Sequence, residues 1–423
     1  MSEDRKANFF YGYIVVVACF VITTVVFGTM YTFGVFFKPL LAELGGTRAV
    51  TSGAYSLCYL LSGVFGMVAG SLTDRFGPRL VITGCGLFLG LGYLLMSQVS
   101  AIWQLYLFFG VIVGAGMSGS FVPLVSTLSR WFIKRRGMMT GIVVAGIGFG
   151  TIIMPPVANQ LISTFGWRTS YIILGIITLV VIILAAQFLR HKPSQMGQLP
   201  YGGAEAKAQN SNLVAGGFTL RRAIHTRQFW VVAAMFLCFG FVLQAVIMHI
   251  APHATDLGIP SATAAAVLSV IGGGSIAGRV VMGSAADRIG NKLALIICFI
   301  LLSIALIWLL AAKELWMLYL FAAIFGFGYG GLVAMVSPIV AELFGIGSLG
   351  IVLGFISLAH SVGGFIGPMT AGRIFDITQS YTLVFIVCAA LSVIGIILAL
   401  LLKLISSEGG GNEPNRSAGL NKG

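Results

Sequence analysis

Twelve separate stretches of this chain are each long and apolar enough to cross a lipid bilayer as a helix. A hydrocarbon core about 30 Å thick needs about 20 apolar residues in helical form. Hydrophobic residues make up 58% of the chain and charged residues only 9%, which excludes a soluble globular protein. We therefore predict an all-α membrane protein whose twelve transmembrane helices lie at residues 12–36, 50–72, 79–99, 103–129, 138–162, 168–189, 229–252, 262–284, 293–312, 315–340, 347–371 and 380–402.

Lysine and arginine are unevenly distributed between the two sides of this predicted bundle. If both termini lie on one side, that side holds nineteen of these residues and the other side holds five. Because basic loops stay in the cytoplasm, we predict that both termini are cytoplasmic. This topology also accounts for the net charge of +13 without nucleic-acid binding. We expect a multi-pass protein of a bacterial inner membrane, with no removable signal peptide.

Cysteine and histidine do not form a recognisable metal or redox motif. The six cysteines all lie in apolar stretches without paired spacing, so they are expected to be buried and unpaired. His249 and His253 are four residues apart, but Pro252 interrupts the turn and no third ligand is near. Nucleophile elbows, phosphate-binding loops and intramembrane carboxylate pairs are also missing from the sequence. We expect no enzymatic activity, no metal and no cofactor.

The two halves of the chain carry related sequences. Residues 70–79 read GSLTDRFGPR and residues 283–292 read GSAADRIGNK, an offset of 213 positions. An offset that holds in a second region indicates duplication. The same offset relates three pairs in predicted helices 5 and 11: Gly141 and Gly354, Gly150 and Gly363, and Pro155 and Pro368.

Duplication and the position of the one long polar segment together predict the domain organisation. We expect two six-helix halves, at residues 1–189 and 228–404, joined by a cytoplasmic loop at 190–227. Residues 405–423 are glycine-rich and polar, which predicts a flexible tail. Carriers built from two parallel halves bind their substrate between the halves near the bilayer midplane and expose it alternately to either side.

The repeated loop pattern, G-x-x-x-D-R-x-G-x-[RK], resembles the best-known signature of the major facilitator superfamily. The resemblance implies the fold of that superfamily and a gating role for the charged loop residues. The alternative is that these charges are solvated and only obey the topology. The residues concerned are Asp74, Arg75, Arg79, Asp287, Arg288 and Lys292.

A second resemblance narrows the family. Residues 131–150, WFIKRRGMMTGIVVAGIGFG, look like the segment that enters helix 5 in monocarboxylate transporters and their bacterial relatives, including oxalate/formate exchangers. Tyr11-Gly12-Tyr13 at the start of helix 1 and an arginine in helix 8 extend the match over nearly the whole chain. The resemblance implies a small organic anion as substrate.

That arginine, Arg279, places a permanent cation inside an apolar helix. Placing it there costs at least ~2.5 kcal/mol, and an arginine cannot lose its proton to avoid that cost. An anion held by the planar guanidinium would offset it. The alternatives are a buried ion pair or snorkelling toward Asp287, which is eight residues and roughly 12 Å further along the helix. We predict that Arg279 binds the carboxylate of the substrate.

His360 lies near the middle of predicted helix 11, where the exchanger branch is expected to carry a lysine. A neutral imidazole adds no second permanent charge, and it can still take up a proton. This difference favours a monocarboxylate such as lactate, pyruvate, acetate or formate over oxalate. The alternative is a packing histidine that bonds to a backbone carbonyl or to Ser361.

Other polar residues in the helices complete the predicted site. Ser275 stands where animal monocarboxylate transporters typically have an aspartate, four residues before the arginine, and the segment 28–34 lacks their helix 1 lysine. Proton coupling then falls to His360, His249 or the substrate itself, since the predicted helices contain no aspartate or glutamate. Tyr31 and Tyr329 either donate hydrogen bonds to the carboxylate or are simply close-packed rings. For His249 three roles remain open: a substrate contact, an outer-gate group or a packing residue. Tyr55 and Tyr59 are weaker candidates.

Glycines in helices 5 and 8 predict a close contact between the two halves. Small residues let membrane helices approach and slide, as alternating access requires. We expect Gly146 and Gly150 to face Gly272, Gly273 and Gly274.

These observations predict a secondary active transporter of small monocarboxylates such as L-lactate or pyruvate, working as a proton symporter by alternating access. Its expected partners are the substrate, protons and the bilayer, and it is expected to act as a monomer. The first alternative is an organic-anion exchanger of the oxalate/formate type, and the second is an anion receptor without transport. The duplicated loops and glycine-rich helices argue against a receptor, because a sensor needs no symmetric rocking.

Overall fold

A computed structural model of the protein describes residues 10–202, 220–344 and 349–402, and the predicted tail at 405–423 lies outside them. The described chain is built from long helices that lie close to the predicted stretches. They are α1 (Gly12–Tyr31, continued by Phe33–Leu44), α2 (Arg48–Phe76), α3 (Pro78–Met96), α4 (Ile102–Trp131), α5 and α6 (together Arg136–Gln187), α7 (Arg227–Asp256), α8 (Ser261–Ile289), α9 (Asn291–Ala311), α10 (Leu315–Phe344), α11 (Leu349–Thr378) and α12 (Thr382–Leu401).

Eleven helices of the described chain are long and apolar enough to span a membrane. One of them, Arg136–Gln187, has 52 residues and would be roughly 78 Å long if it were straight, more than twice the bilayer core. Its backbone breaks at Gly166, where φ is 77° and ψ is 163°, a conformation that only glycine adopts without strain. This stretch therefore makes two passes, α5 at 136–165 and α6 at 167–187, which brings the total to twelve.

Several helices extend beyond the apolar stretches that predicted them. α1 continues to Leu44, α7 to Asp256 and α11 to Thr378. The added turns carry charged side chains such as Lys38 and Asp376, which a search for apolar windows leaves out. Backbone hydrogen bonding continues through these polar turns, because helix formation does not require an apolar side chain.

The helices before and after the central segment pack in the same order. We call α1–α6 the first group and α7–α12 the second group. Within the first group α1 packs on α5, α2 on α4 and α3 on α6; within the second, α7 packs on α11, α8 on α10 and α9 on α12. The repeated pairing agrees with the 213-residue offset in the sequence.

Three helix pairs connect the groups: α2 with α11, α5 with α8, and the Phe33–Leu44 part of α1 with α7. The first two pairs touch from the middle of the helices toward one end of the bundle. A Cβ on Gly372 would lie 2.7 Å from the amide nitrogen of Ala49, and one on Gly272 would lie 2.7 Å from the carbonyl oxygen of Gly148. We call this end the outer end, and the opposite end, which carries the Asp74 and Asp287 loops, the inner end, because the charge distribution predicts that it faces the cytoplasm.

The first two helix pairs separate toward the inner end. In the described ranges, no atom of another element lies within 4 Å of the position that a Cβ would occupy on Gly141 of α5, Gly283 of α8 or Gly354 of α11. Gly141 lies two turns from Gly148 and therefore on the same face of α5. The two groups thus form a V that is closed at the outer end and open at the inner end.

Candidate functional site

Arg279 lies on α8 between the two groups and is only 7% exposed. Its Nη1 donates to the Ser275 hydroxyl at 3.2 Å and its Nη2 donates to the Tyr329 hydroxyl at 3.1 Å. The guanidinium carbon also lies 5.3 Å from the centroid of the Tyr329 ring, within cation–π distance. Nε is buried and has no hydrogen-bond partner. The cation is therefore held by neutral groups that leave part of its hydrogen-bonding capacity unused.

Counter-ions are missing around this cation. No aspartate or glutamate of the described chain lies within ion-pair distance of Arg279. It is also the only lysine, arginine, aspartate or glutamate that is fully buried in that part of the chain. Arg279 therefore neither forms a buried ion pair with a described residue nor snorkels to the interface, the two alternatives that the sequence left open.

Close packing of α8 on α10 brings Tyr329 to Arg279. A Cβ on Gly274 would lie 2.8 Å from the Ala323 carbonyl oxygen of α10, and Gly278 on the next turn is pressed against the backbone of Phe327. Side chains at these positions would push the helices apart. Ser275 lies one turn before Arg279 on the same face, so the hydroxyl reaches the guanidinium.

His360 on α11 is half-buried and bridges the two groups. Its Nδ1 lies 3.3 Å from the Phe236 carbonyl oxygen and its Nε2 lies 3.0 Å from the Tyr59 hydroxyl. A carbonyl only accepts, so Nδ1 carries the hydrogen, and Nε2 of the neutral ring accepts from Tyr59. Protonation at Nε2 would reverse this bond and make the Tyr59 hydroxyl an acceptor.

An aromatic and polar cluster joins His360 to Arg279. The ring of Phe239 stacks on His360, with centroids 5.1 Å apart, and lies 6.4 Å from the ring of Tyr329. Tyr31 on α1 is 3% exposed, and its ring lies 6.2 Å from the ring of Phe27. The structure thus joins four of the candidate residues, Arg279, Ser275, Tyr329 and His360, through direct contacts and the ring of Phe239.

Gln244 on α7 is a member of this cluster that the sequence analysis missed. Its Oε1 accepts from the Tyr55 hydroxyl at 2.7 Å, while its Nε2 is buried without a partner. A glutamine in an apolar helix is a detectable signal, because a buried amide needs hydrogen bonds. Gln244 Nε2 and Arg279 Nε are two unsatisfied buried donors, and a carboxylate is an acceptor.

His249 lies in a different network, nearer the outer end. Its Nε2 is 3.0 Å from the Pro368 carbonyl oxygen and 3.2 Å from the Ser52 hydroxyl, and its Nδ1 is 3.0 Å from the Tyr381 hydroxyl. These contacts join α2, α7, α11 and α12. Of the three roles considered for His249, this position fits an outer-gate group, because its contacts hold the outer ends of helices from both groups together.

Ion pairs seal the outer end between the groups, and the sequence analysis did not single them out. Asp256 on α7 binds Lys38 at 2.7 Å and Arg48 at 2.8 Å. Asp376 on α11 accepts the backbone N–H groups of Arg48 and Ala49, each at 2.9 Å, and so caps the start of α2. Arg48 also donates to the Tyr381 hydroxyl at 2.6 Å, which connects these ion pairs to the His249 network.

The signature loops at the inner end make no such contact between groups in the described chain. Asp74 binds Arg130 of its own group at 2.5 Å, and Arg130 also contacts His191. Lys292 donates to the carbonyls of Leu400 and Leu402, again within one group. The other loop residues, Arg75, Arg79, Asp287 and Arg288, are exposed.

The expected glycine contact between the groups is partly wrong. Gly146 and Gly150 lie against Phe20, Thr24 and Gly28 of α1, in their own group. Gly274 faces α10, also in its own group, and Gly273 only approaches Ile152 at 4.0 Å. Gly148 is the residue that meets Gly272, because it lies on the face of α5 opposite to α1. The spacing of the glycines predicted that α5 and α8 each have a face of small residues, but it could not predict which helix packs against that face.

The described residues contain no group of three or more histidine, cysteine or acidic side chains arranged for a metal ion. The cysteines of this part of the chain are free, and five of the six are buried.

Comparison with known proteins gives a family match and close fold neighbours. The model of the Major Facilitator Superfamily matches residues 19–283 and 250–421. Monocarboxylate transporter 13 from Rattus norvegicus is 28% identical over 387 residues, covering 91% of this chain and 87% of that protein. The uncharacterized MFS-type transporter YhjX from Escherichia coli is 29% identical over 348 residues, covering 81% and 83%.

Solved structures agree on the fold. A bacterial homologue of the human lysosomal transporter Spinster, in an inward-facing and occupied conformation, superimposes with a TM-score of 0.69 at 16% identity. The alignment covers 92% of this chain and 96% of that one.

Proposed function

Because the chain belongs to the major facilitator superfamily, we propose that it is a secondary active transporter of small monocarboxylates that works by proton symport and alternating access. The observation that carries this proposal is the buried Arg279, which has no acidic partner among the described residues and lies beside the Tyr329 hydroxyl. Support comes from its similarity to proteins named monocarboxylate transporters over nine-tenths of its length.

A single carboxylate matches the charge of this site. Paired with Arg279 it leaves no net charge, which lowers the cost of holding both ions in a water-poor site. A second carboxylate would have no second permanent cation to meet, since Arg279 is the only buried lysine or arginine of the described chain. The surrounding apolar side chains suit a short aliphatic tail such as that of L-lactate or pyruvate.

We assign the coupled proton to His360, with His249 as a second titratable group at the outer closure. Protonation of His360 reverses its hydrogen bond with Tyr59 and so changes a contact between the two groups. His249 would become accessible from outside only when the Tyr381 and Ser52 contacts open. A proton and a carboxylate that bind together keep the moving complex electroneutral.

Alternating access requires the two predicted halves, 1–189 and 228–404, to rock about the site. In the observed form the Asp256 and Asp376 contacts close the outer end. The opposite form would open these contacts and bring the inner ends of α5 and α8, and of α2 and α11, together. We place the protein in a bacterial inner membrane as a monomer with cytoplasmic termini, as the charge distribution predicts.

The test is uptake of radiolabelled L-lactate by proteoliposomes with and without an inward proton gradient. Wild type is expected to accumulate lactate only with the gradient, Arg279→Gln to lose uptake, and His360→Ala to lose the gradient dependence. Arg227→Gln, an exposed change at the start of α7 in the same group, is the matched control and should transport normally. Accumulation by Arg279→Gln would contradict the proposal, and lactate movement only against preloaded oxalate or formate would support the exchanger instead.

A further inference from the structure

A second cationic site lies at the inner end, away from the cluster around Arg279. A cleft of about 670 Å³ opens between the start of α3 and the segment that follows α6. Three arginines and a histidine line it, Arg75, Arg79, Arg190 and His191, and its lining contains no acidic residue. The nearby carboxylate of Asp74 is occupied by Arg130.

The positive charge of this cleft is only partly used by the protein. Arg190 donates to the carbonyls of Gln187 and Leu189 at the end of α6. Arg75 and Arg79 are exposed, and neither forms an ion pair with a described residue. Partial burial, and then the charges of Arg130 and Lys192, lower the pKa of His191 below its usual value. An anion in the cleft would therefore meet a positive field.

Backbone donors of α3 also face this region. The helix begins with Pro78, and no side chain caps it, so the first N–H groups, those of Arg79 and Leu80, have no acceptor within the helix. Gly77, at φ 83°, brings the chain against the His191 ring, where a Cβ would lie 3.6 Å from Nδ1. Helix N-termini with adjacent arginines are favourable positions for a phosphate group.

Apolar side chains border the cleft as well. Phe76 is 53% exposed and Leu80 is 67% exposed, and both belong to its lining. A soluble anion gains nothing from these side chains, whereas a lipid places acyl chains beside its phosphate. The site lies at the ends of membrane helices, at the level where lipid headgroups are found.

The corresponding loop of the second group is used differently. Lys292 occupies the position equivalent to Arg79, but its ammonium binds the carbonyls of Leu400 and Leu402 at 2.9 and 2.6 Å. Its charge is thus already directed to the end of α12. Of the two equivalent residues, only Arg79 of the first group has a side chain that is free to bind an anion.

We propose that this cleft binds a phosphate group, and that the source of the phosphate is the headgroup of an anionic phospholipid. Arg75 and Arg79 supply the charge-assisted hydrogen bonds, the start of α3 supplies backbone donors, and Phe76 and Leu80 contact the acyl chains.

The test is native mass spectrometry of the full-length protein released from nanodiscs that contain equal amounts of phosphatidylglycerol and phosphatidylcholine. Wild type is expected to retain phosphatidylglycerol preferentially, and the double variant Arg75→Gln/Arg79→Gln to lose about tenfold in that preference. The control, Arg227→Gln/Arg288→Gln, removes two exposed inner-end charges outside the cleft and should bind like wild type. Equal retention by wild type and the cleft variant, or equal loss in the control, would overturn the proposal.

A second arm separates the two sources of phosphate. Inorganic phosphate is added to protein in nanodiscs of phosphatidylcholine alone, and thermal unfolding is followed. If phosphate raises the Tm of wild type but not of the cleft variant, while lipid retention is unselective, the site binds soluble phosphate and the lipid assignment is wrong. Neither arm depends on transport, so the outcome is independent of the proposed function.

Discussion

Arg279 is a residue whose burial is unfavourable for stability and to which the proposed function assigns substrate binding. The residue is only 7% exposed, and its described hydrogen-bond partners are two hydroxyl groups rather than a carboxylate. A buried cation without a carboxylate partner lowers the stability of the empty protein, and in the proposed function a bound carboxylate offsets this cost. The sequence predicted the cation and its depth, because a single arginine in an apolar helix is a strong signal. It did not predict the hydrogen bond between Gln244 and Tyr55, since that contact depends on how α7 packs.

Replacing Arg279 by glutamine should therefore separate stability from activity. We expect Arg279→Gln to abolish lactate uptake while the Tm of the empty protein stays equal or rises by a few degrees, because the buried charge is gone. Lactate should raise the Tm of wild type only. Thermal unfolding of the detergent-solubilised protein, followed by tryptophan fluorescence, measures both effects. A clearly lower Tm in the variant would mean that Arg279 is mainly a structural residue.

At the scale of helices, glycines mark two kinds of position. Some are in contact in the observed, inner-open form, and others are uncovered and would come into contact in the inner-closed form. Gly148 and Gly272 touch near the middle of α5 and α8, whereas Gly141 and Gly283 are uncovered two to three turns further in. Gly354 on α11 stands in the same relation to Ser361, which lies against Gly63 of α2. If the inner ends close during transport, these uncovered glycines become contact positions.

Bulky side chains at the uncovered inner positions should trap the observed form. We expect Gly141→Leu and Gly354→Leu to leave folding intact, since nothing lies within 4 Å, but to reduce lactate uptake at least tenfold by blocking inner closure. Gly84→Leu on α3 is the matched control, because that position is equally uncovered and α3 does not contact the other group. Uptake and size-exclusion profiles are the measurements. Normal transport by both inner variants would contradict the rocking movement assigned to α5 and α11.

At the scale of the whole molecule, the outer closure rests on a few charged residues. Asp256 binds both Lys38 and Arg48, and Asp376 caps α2 from the opposite group. Partly exposed ion pairs contribute roughly 0.2–1 kcal/mol each, so the closed outer end is only moderately favoured. Such a balance suits a carrier, which must reverse the closure in each cycle.

Removal of Asp256 should shift the protein toward the outward-open form. We expect Asp256→Asn to widen the distance distribution between spin labels at Thr47→Cys and Thr378→Cys, in a background without native cysteines, because two ion pairs are lost. Double electron–electron resonance measures this distance. Glu43→Gln, which breaks the Arg168 ion pair within the first group, is the control and should leave the distribution unchanged. An unaltered distribution in Asp256→Asn would mean that these ion pairs do not hold the outer end closed.

The sequence predicted the number of passes, the fold and a cluster of candidate site residues, because apolar length, a 213-residue repeat and a lone arginine are local patterns. It did not predict the outer closure, since Lys38, Asp256 and Asp376 lie more than 100 residues from their partners or in turns beyond the apolar stretches. It also assigned Gly146 and Gly150 to the wrong neighbour, because helical spacing defines a face but not what packs on it. Contacts between distant helices are properties of the assembled bundle.

Binding of a carboxylate at Arg279 is the central claim, and ligand-observed saturation-transfer NMR with L-lactate and L-lactamide tests it most directly. The two molecules differ only in the carboxylate, which the amide replaces without charge. With the protein in nanodiscs, we predict transfer to lactate but not to lactamide, and loss of the lactate signal in Arg279→Gln. Equal transfer to both ligands, or an undiminished lactate signal in the variant, would contradict the account.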